Sequence, residues 1–179
     1  MVLNGSGSDY ASAKLAVYML GEVGLTAKTR YAYSENEEIP MKTATSMATT
    51  AVRLSDGSVY LLYIGGDVLG QKTFISQKLN SRFLYKEISK NKYAVYSWIQ
   101  FDDEVKGYDK ATKTVMNIPG YIDGHKIEVI AAEFTRGCIG VSKVTIPNTV
   151  TEIKRGAFVY TKRIQSISIS SSVKTIAAD

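Results

Sequence analysis

Apolar positions in the last third of the chain recur at a fixed spacing of 23 residues, because residues 127–149 align with residues 150–172 and a third unit begins at Val173. The matched positions are Ile127/Val150/Val173, Ile130/Ile153/Ile176, Val141/Ile164, Val144/Ile167 and Ile146/Ile169. One short coil cannot bury its own apolar face, so equivalent coils stack and each matched residue packs against its copy. The pattern predicts short parallel strands over residues 144–146 and 167–169, with the matched isoleucines and valines buried.

Earlier in the chain the pattern is mixed. Apolar spacing predicts a helix over residues 10–20, capped by Ser8 or Asp9 and ended by Gly21 and Gly24. An extended segment follows over residues 25–33, and residues 34–40 form an acidic loop. The small residues of 43–51 suit either a strand or a linker.

Two β-rich stretches stand out in this first part. Two strand-like runs flank Asp56-Gly57 within residues 51–64, which predicts a tight hairpin whose second arm is buried. The aromatic and β-branched residues of 93–101 predict another strand. Residues 71–89 show imperfect helical spacing of apolar residues, and a helix is expected there.

The predicted fold class is therefore α+β and β-rich, with a small α+β domain over residues 1–103. A short repeat region with parallel strands follows over residues 104–179.

Composition narrows the class of protein. The net charge is +5, yet the 22 Lys and Arg are scattered and form no basic run, so we expect a solvated basic surface and no specific nucleic-acid partner. No apolar stretch is long enough to span a membrane, which needs about 18 residues or more. The run Leu15–Gly24 resembles the apolar core of a signal peptide but is interrupted by Glu22, so Met1 onward is expected to be mature protein. The single cysteine, Cys138, excludes an intramolecular disulfide.

Candidate catalytic and metal-binding residues are few. Residues 65–73 are rich in glycine and resemble a phosphate-binding loop, but Gln71 breaks the required Gly-Lys-Ser/Thr order, so a hairpin loop is the favoured interpretation. His125 is the only histidine and is expected in a turn facing solvent. The acidic residues 102–104 are expected to end a strand in solvent. No metal ligand set is present at the usual spacings, and we expect no cofactor, no metal and no enzymatic activity.

Residues 144–158, with the order Val-Thr-Ile-Pro-Asn-Thr-Val-Thr-Glu-Ile-Lys-Arg-Gly-Ala-Phe, resemble the BspA-type (Treponema-type) leucine-rich repeat. The upstream piece from Val105 is similar to the start of such arrays, with Ile122-Asp123-Gly124 at the position of the family's Ile-Asp-Gly turn. The resemblance covers roughly residues 105–179. Two departures affect the back of each coil: Phe134 lies one place earlier in its unit than Phe158, and Thr161 replaces the cysteine found at Cys138.

The resemblance implies a leucine-rich-repeat solenoid in a non-enzymatic structural or adhesion protein, extracellular or on a bacterial cell surface. A structural protein of a phage particle (fibre, tail or capsid decoration) is the alternative. An uncapped repeat end exposes its ladder residues. Either a protein partner or another subunit in a homo-oligomer covers them, or the chain is a fragment of a longer array. The candidate interaction surface comprises Val173, Ile176, Tyr121, His125 and Tyr160, because exposed tyrosine is favoured at binding surfaces.

Overall fold

The computed structural model describes residues 9–31, 48–66, 72–101, 114–159, 161 and 163–178. These residues belong to two compact units, Met1–Asn80 and Ser81–Asp179. The division falls before residue 83, whereas the sequence placed it after residue 103. The reason is long-range strand pairing, since the strands between residues 83 and 98 join the sheet of the repeat region.

The described residues of the first unit form one helix and one antiparallel sheet. Its elements are α1 (Asp9–Glu22), β1 (Thr26–Tyr31), β2 (Ala48–Arg53), β3 (Val59–Gly66) and β4 (Lys72–Leu79). The strands lie in the order β1-β2-β3-β4, and α1 packs against β1, β2 and β3. Ala51 and Val52 on the inner strand β2 are buried. The helix predicted over residues 10–20 and the extended segment after it are confirmed; the acidic loop lies outside the described residues.

The hairpin predicted around Asp56-Gly57 is confirmed, with Arg53 of β2 opposite Val59 of β3. Gly57 takes a positive φ of 83°, and its N–H donates to the Leu54 carbonyl oxygen at 3.0 Å. The Ser58 amide and hydroxyl both donate to Asp56 Oδ1, which lowers the pKa of the Asp56 carboxyl. Only Gly57 of the dipeptide needs the left-handed conformation, which favours glycine at that position.

The helix expected over residues 71–89 is wrong. This stretch forms β4 and then β5 (Phe83–Ser89), each antiparallel to a neighbouring strand. The apolar spacing fitted a helix only imperfectly, and pairing with distant strands outweighed the local pattern. The glycine-rich loop therefore connects two antiparallel strands, Gly66 opposite Lys72, and is not followed by the helix that a phosphate-binding loop requires.

In the second unit, the part of the chain that the structure describes forms nine strands in two main sheets. They are β5 (Phe83–Ser89), β6 (Lys92–Trp98), β7 (Thr114–Asn117), β8 (Tyr121–Ile122), β9 (His125–Ile130), β10 (Val141–Thr145), β11 (Glu152–Ile153), β12 (Ser166–Ser168) and β13 (Thr175–Ile176). One sheet has the order β13-β11-β9-β6-β5, with β8 paired to β9, and the other has the order β12-β10-β7. The strands of the repeat are short, and each 23-residue repeat contributes one strand to each of the two sheets.

The 23-residue repeat appears directly in the strand register. Val144 of β10 lies opposite Ile167 of the parallel strand β12. In the other sheet, Ile153 of β11 has two parallel neighbours, Ile130 of β9 and Ile176 of β13. The predicted parallel strands are therefore confirmed. They form two parallel ladders, and in each ladder neighbouring strands come from successive 23-residue repeats.

Residues from both sheets form one apolar core. Its fully buried members include Ile127, Ile130, Val144 and Val150, with Phe134 beside them. Complete burial of each such side chain contributes roughly 1.5–3 kcal/mol. Equivalent positions of successive repeats thus stabilise the unit by packing together in this shared core.

Candidate interaction surface

One side of the repeat region is covered by the capping hairpin, which we define as residues 83–98 (β5 and β6). Strand β6 pairs with β9 in parallel, with Val95 opposite Ile130, and β5 then pairs with β6. The Ala131 N–H also donates to the Val95 carbonyl oxygen at 2.9 Å. The hairpin therefore extends the ladder sheet by two strands beyond β9.

Aromatic side chains fix the capping hairpin to the repeat core. Phe83 stacks on Trp98 and on Phe134, with ring centroids 6.1 Å and 6.3 Å away. Behind them the buried Gln100 side-chain oxygen accepts the Ile139 N–H at 2.7 Å. Buried polar groups need such partners, so this bond satisfies both the side-chain amide and the loop backbone. The hairpin is part of the folded core and not a loose extension.

The opposite side, which we call the open end (residues 164–178), has no strand beyond β12 and β13 among the described residues. Ile169 is 49% exposed and Ile176 is 60% exposed, whereas their copies one repeat earlier, Ile146 and Ile153, are 3% and 4% exposed. An outer strand presents unpaired N–H and C=O groups that can pair with another chain. The open end therefore combines free backbone hydrogen-bonding groups with exposed apolar side chains.

The repeat also has a counterpart among known families. Residues 117–179 match the family model described as BspA type Leucine rich repeat region (6 copies). This segment is a BspA-type leucine-rich-repeat region. No curated protein and no solved structure matches the chain. The family match confirms the resemblance drawn from residues 144–158 and places it on the part of the chain that carries the parallel ladders.

Within the BspA-type segment, Val173 and Ile176 lie at the open end, as the sequence predicted. Ile176 is largely exposed, while Val173 is half-buried and packs against the apolar core. Ile169 belongs to the same surface but was not among the predicted interaction residues. Its signal was present in the repeat alignment, where it is the last copy of the buried Ile146.

Tyr121 and His125 lie on the hairpin of β8 and β9, two strands away from β13, or roughly 10 Å at ordinary strand spacing. The turn Asp123-Gly124 has positive φ at both residues, 51° and 82°, as a two-residue hairpin turn requires. Tyr121 is 62% exposed. Tyr160, the fifth predicted residue, lies outside the described residues. The described members of the predicted set are therefore divided between the open end and the β8–β9 hairpin.

His125 differs from the solvent-facing side chain that was expected. It is half-buried, and its ring stacks on Tyr93 of the capping hairpin with centroids 4.2 Å apart. Tyr85 packs beside both rings, and its hydroxyl donates to Asp123 Oδ2 at 3.0 Å. Burial, followed by this hydrogen bond, raises the pKa of the Tyr85 hydroxyl. The cluster joins the capping hairpin to the first repeat strand, which explains the placement of His125 structurally.

Charged side chains cross the outer face of the ladder sheet. Glu152 on β11 accepts hydrogen bonds from Lys154 at 2.7 Å and from Lys92 of the capping hairpin at 3.1 Å. The bond from Lys154, and then that from Lys92, holds the pKa of the Glu152 carboxyl below its usual range against the opposing effect of burial. No local pattern indicates the Lys92 contact, because it joins residues 60 positions apart.

The described residues offer little for catalysis. Among them, no group of three or more His, Cys, Asp or Glu side chains is arranged to hold a metal ion. Cys138 is buried, and its Sγ contacts the Trp98 carbonyl oxygen at 3.8 Å. A buried thiol in such surroundings is a structural residue. The acidic residues 102–104 lie outside the described part of the chain, and no helix within that part is long and apolar enough to cross a membrane.

Proposed function

We propose that this protein is a non-enzymatic protein–protein interaction module whose BspA-type segment is a short solenoid and binds a protein partner at its open end. The observation that supports this most directly is the contrast between the two sides of the ladder. The capping hairpin covers one side, whereas β12 and β13 leave Ile169 and Ile176 exposed on the other. Leucine-rich repeats are typically interaction modules, which agrees with the family match.

The chemistry of the open end indicates how such a partner binds. Each outer strand offers backbone donors and acceptors along its free edge, and an extended segment of a partner can add to them as a further strand. Ile169 and Ile176 supply the apolar contacts beside that edge. Main-chain hydrogen bonds then provide affinity for the added strand. The contacts of Ile169 and Ile176 determine which partner side chains fit beside it.

For the setting, we propose a bacterial cell surface or a secreted protein, where BspA-type repeats are often found. There the open end acts in adhesion to a protein ligand. The second setting is a phage particle, in which the same open end serves as an assembly surface between structural proteins. Both settings use the same strand edge and differ in the partner.

Site-specific photo-crosslinking tests the proposed surface in the cells that produce the protein. A photoreactive phenylalanine analogue replaces Ile169 in one variant and the exposed Lys143 of β10 in a matched control. Covalent protein adducts from position 169, with few from position 143, are expected. Equal adducts from both positions, or none from position 169, would contradict the proposed surface. Mass spectrometry of the adducts then distinguishes a surface ligand from a phage structural protein.

A further inference from the structure

We propose that the occupant of the open end is a second copy of this chain. Strands β12 and β13 of one copy pair antiparallel with β12 and β13 of the other, about a two-fold axis. This inference rests on the proposed function for the location of the surface, and it adds the identity of the partner. Both ladders then continue across the interface, and Ile169 and Ile176 of each copy become covered.

The capping hairpin argues against head-to-tail association. Strand β7 is the neighbour of β10 in one sheet, as β9 is the neighbour of β11 in the other. No described strand lies beyond β7, whereas β6 and β5 lie beyond β9. If β7 of one copy added to β12 of another, its own β6 and β5 would occupy the space of the neighbour's β13 and β11. If β5 added to β13 instead, β12 would remain unpaired. Only a pairing of two open ends continues both sheets at this end.

The charge of the open end also favours a second copy. Residues 164–178 contain one charged side chain, Lys174, whereas the equivalent residues one repeat earlier, 141–155, contain Lys143, Glu152, Lys154 and Arg155. Two identical surfaces that carry strong charge repel each other, and this one carries almost none. A strongly acidic partner would find only Lys174 as a complementary charge on it, and a strongly basic partner would find none.

Strands β12 and β13 lack two of the features that protect ordinary edge strands. Natural proteins protect such edges with short strands, charged residues, prolines or bulges, and neither outer strand contains a charge or a proline. The preceding coil has Pro147 after β10, but the copy of that position is Ser170 after β12. Strand β12 itself is Ser-Ile-Ser, and β13 is Thr-Ile. These small or apolar residues leave the backbone accessible to another strand.

Light scattering coupled to gel filtration, applied to the full chain over a wide concentration range, tests the inference. We expect a mass that rises to twice the 19.6 kDa of the single chain and no further. Ile176→Asp should remove the dimer, whereas the matched control Tyr121→Asp, which replaces another exposed apolar residue, should leave it unchanged. Ser168→Lys adds a charge at an exposed position of β12 without removing apolar packing, so it gives the same test if Ile176→Asp folds poorly.

Symmetry is tested by oxidation of a single engineered cysteine, Ser168→Cys in a Cys138→Ala background. A two-fold pairing of β12 with its copy brings the two thiols together, so one substitution should yield a covalent dimer. A series of larger oligomers that Val115→Asp on β7 abolishes would indicate head-to-tail association and overturn the inference. A monomer at all concentrations would also overturn the inference. If the photo-crosslinks from position 169 then identify another protein, the proposed function stands without the second copy; if they identify none, both fail.

Discussion

Lys92 and Glu152 form an ion pair across an intervening strand, with Lys92 Nζ 3.1 Å from Glu152 Oε2. Lys92 begins β6 of the capping hairpin, Glu152 lies on β11, and β9 runs between these two strands. Val129 of β9 is the register partner of Glu152 and of Ala94 on β6, and it is 1% exposed. The pair therefore links the hairpin to the second repeat strand over a buried apolar residue.

The first prediction concerns this link. In a double-mutant cycle of Lys92→Met and Glu152→Gln, we expect a coupling free energy of about 0.5–1 kcal/mol, because both side chains are only partly exposed. Chemical denaturation supplies the unfolding free energies. The pair Lys126–Glu128, within one strand, is the matched control and should couple less, since it joins no separate elements. A coupling near zero for Lys92 and Glu152 would contradict the link.

The second prediction is a pH dependence. The pKa of Glu152 is lowered from its ordinary value of 4.5 by Lys154 and Lys92, so its contribution to stability is present above that value. It is lost as the pH falls through the lower pKa of the folded state. The difference in unfolding free energy between the wild type and Glu152→Gln should therefore be constant near neutral pH and shrink on acidification to about pH 3. A difference that grows on acidification would reverse the assigned sign.

The third prediction separates two residues that the repeat makes equivalent. The repeat pattern predicts that Ile146 and Ile169 are both buried, which would make Ile146→Asp and Ile169→Asp equally disruptive. Since Ile146 is 3% exposed and Ile169 is 49% exposed, only the first buries an unpaired charge. We expect a loss of at least about 3 kcal/mol for Ile146→Asp and less than about 1 kcal/mol for Ile169→Asp. Measurement at low protein concentration avoids stabilisation by association. Equal losses would mean that the open end is covered in the isolated chain.

The fourth prediction concerns the turn between β8 and β9. Gly124 has a φ of 82°, with no heavy atom within 4 Å of an added Cβ, so Gly124→Ala introduces backbone strain without a steric clash. We expect a loss of about 1–2 kcal/mol in thermal or chemical denaturation. Asp123→Asn is the control, because asparagine tolerates positive φ and its side-chain oxygen can still accept the Tyr85 hydroxyl. An alanine variant as stable as the asparagine variant would contradict the turn assignment.

Local sequence signals predicted several elements well. The predictions of the helix over residues 10–20 and of the hairpin at Asp56-Gly57 rest on candidate capping residues and on glycine conformation, signals that act within a few positions. Residues 71–89 were assigned wrongly for the converse reason. Strands β4 and β5 are stabilised by partners elsewhere in the chain, and nothing within the segment itself distinguishes them from a poor helix.

The exposure of the candidate interaction residues was predicted in part. Ile176 is exposed, as the repeat pattern predicted, because no described strand lies beyond β13 in its sheet. His125 did not follow the expectation, since its ring packs on Tyr93, a residue of a strand that the sequence assigned to another domain. Ile169 could have been included by applying to it the argument used for Ile176.

The sequence by itself determined the repeat, its 23-residue register and its family, because stacked coils require the same side-chain types at the same spacing. Only the tertiary structure decided how the ladder begins. Residues 83–98 carry no repeat signal, yet they join β9 through backbone hydrogen bonds, which hardly depend on side-chain identity. The contacts that complete this cap, such as Phe83 on Phe134 and Lys92 on Glu152, join residues distant in the chain. Such contacts exist only once the chain has folded, so no local pattern records them.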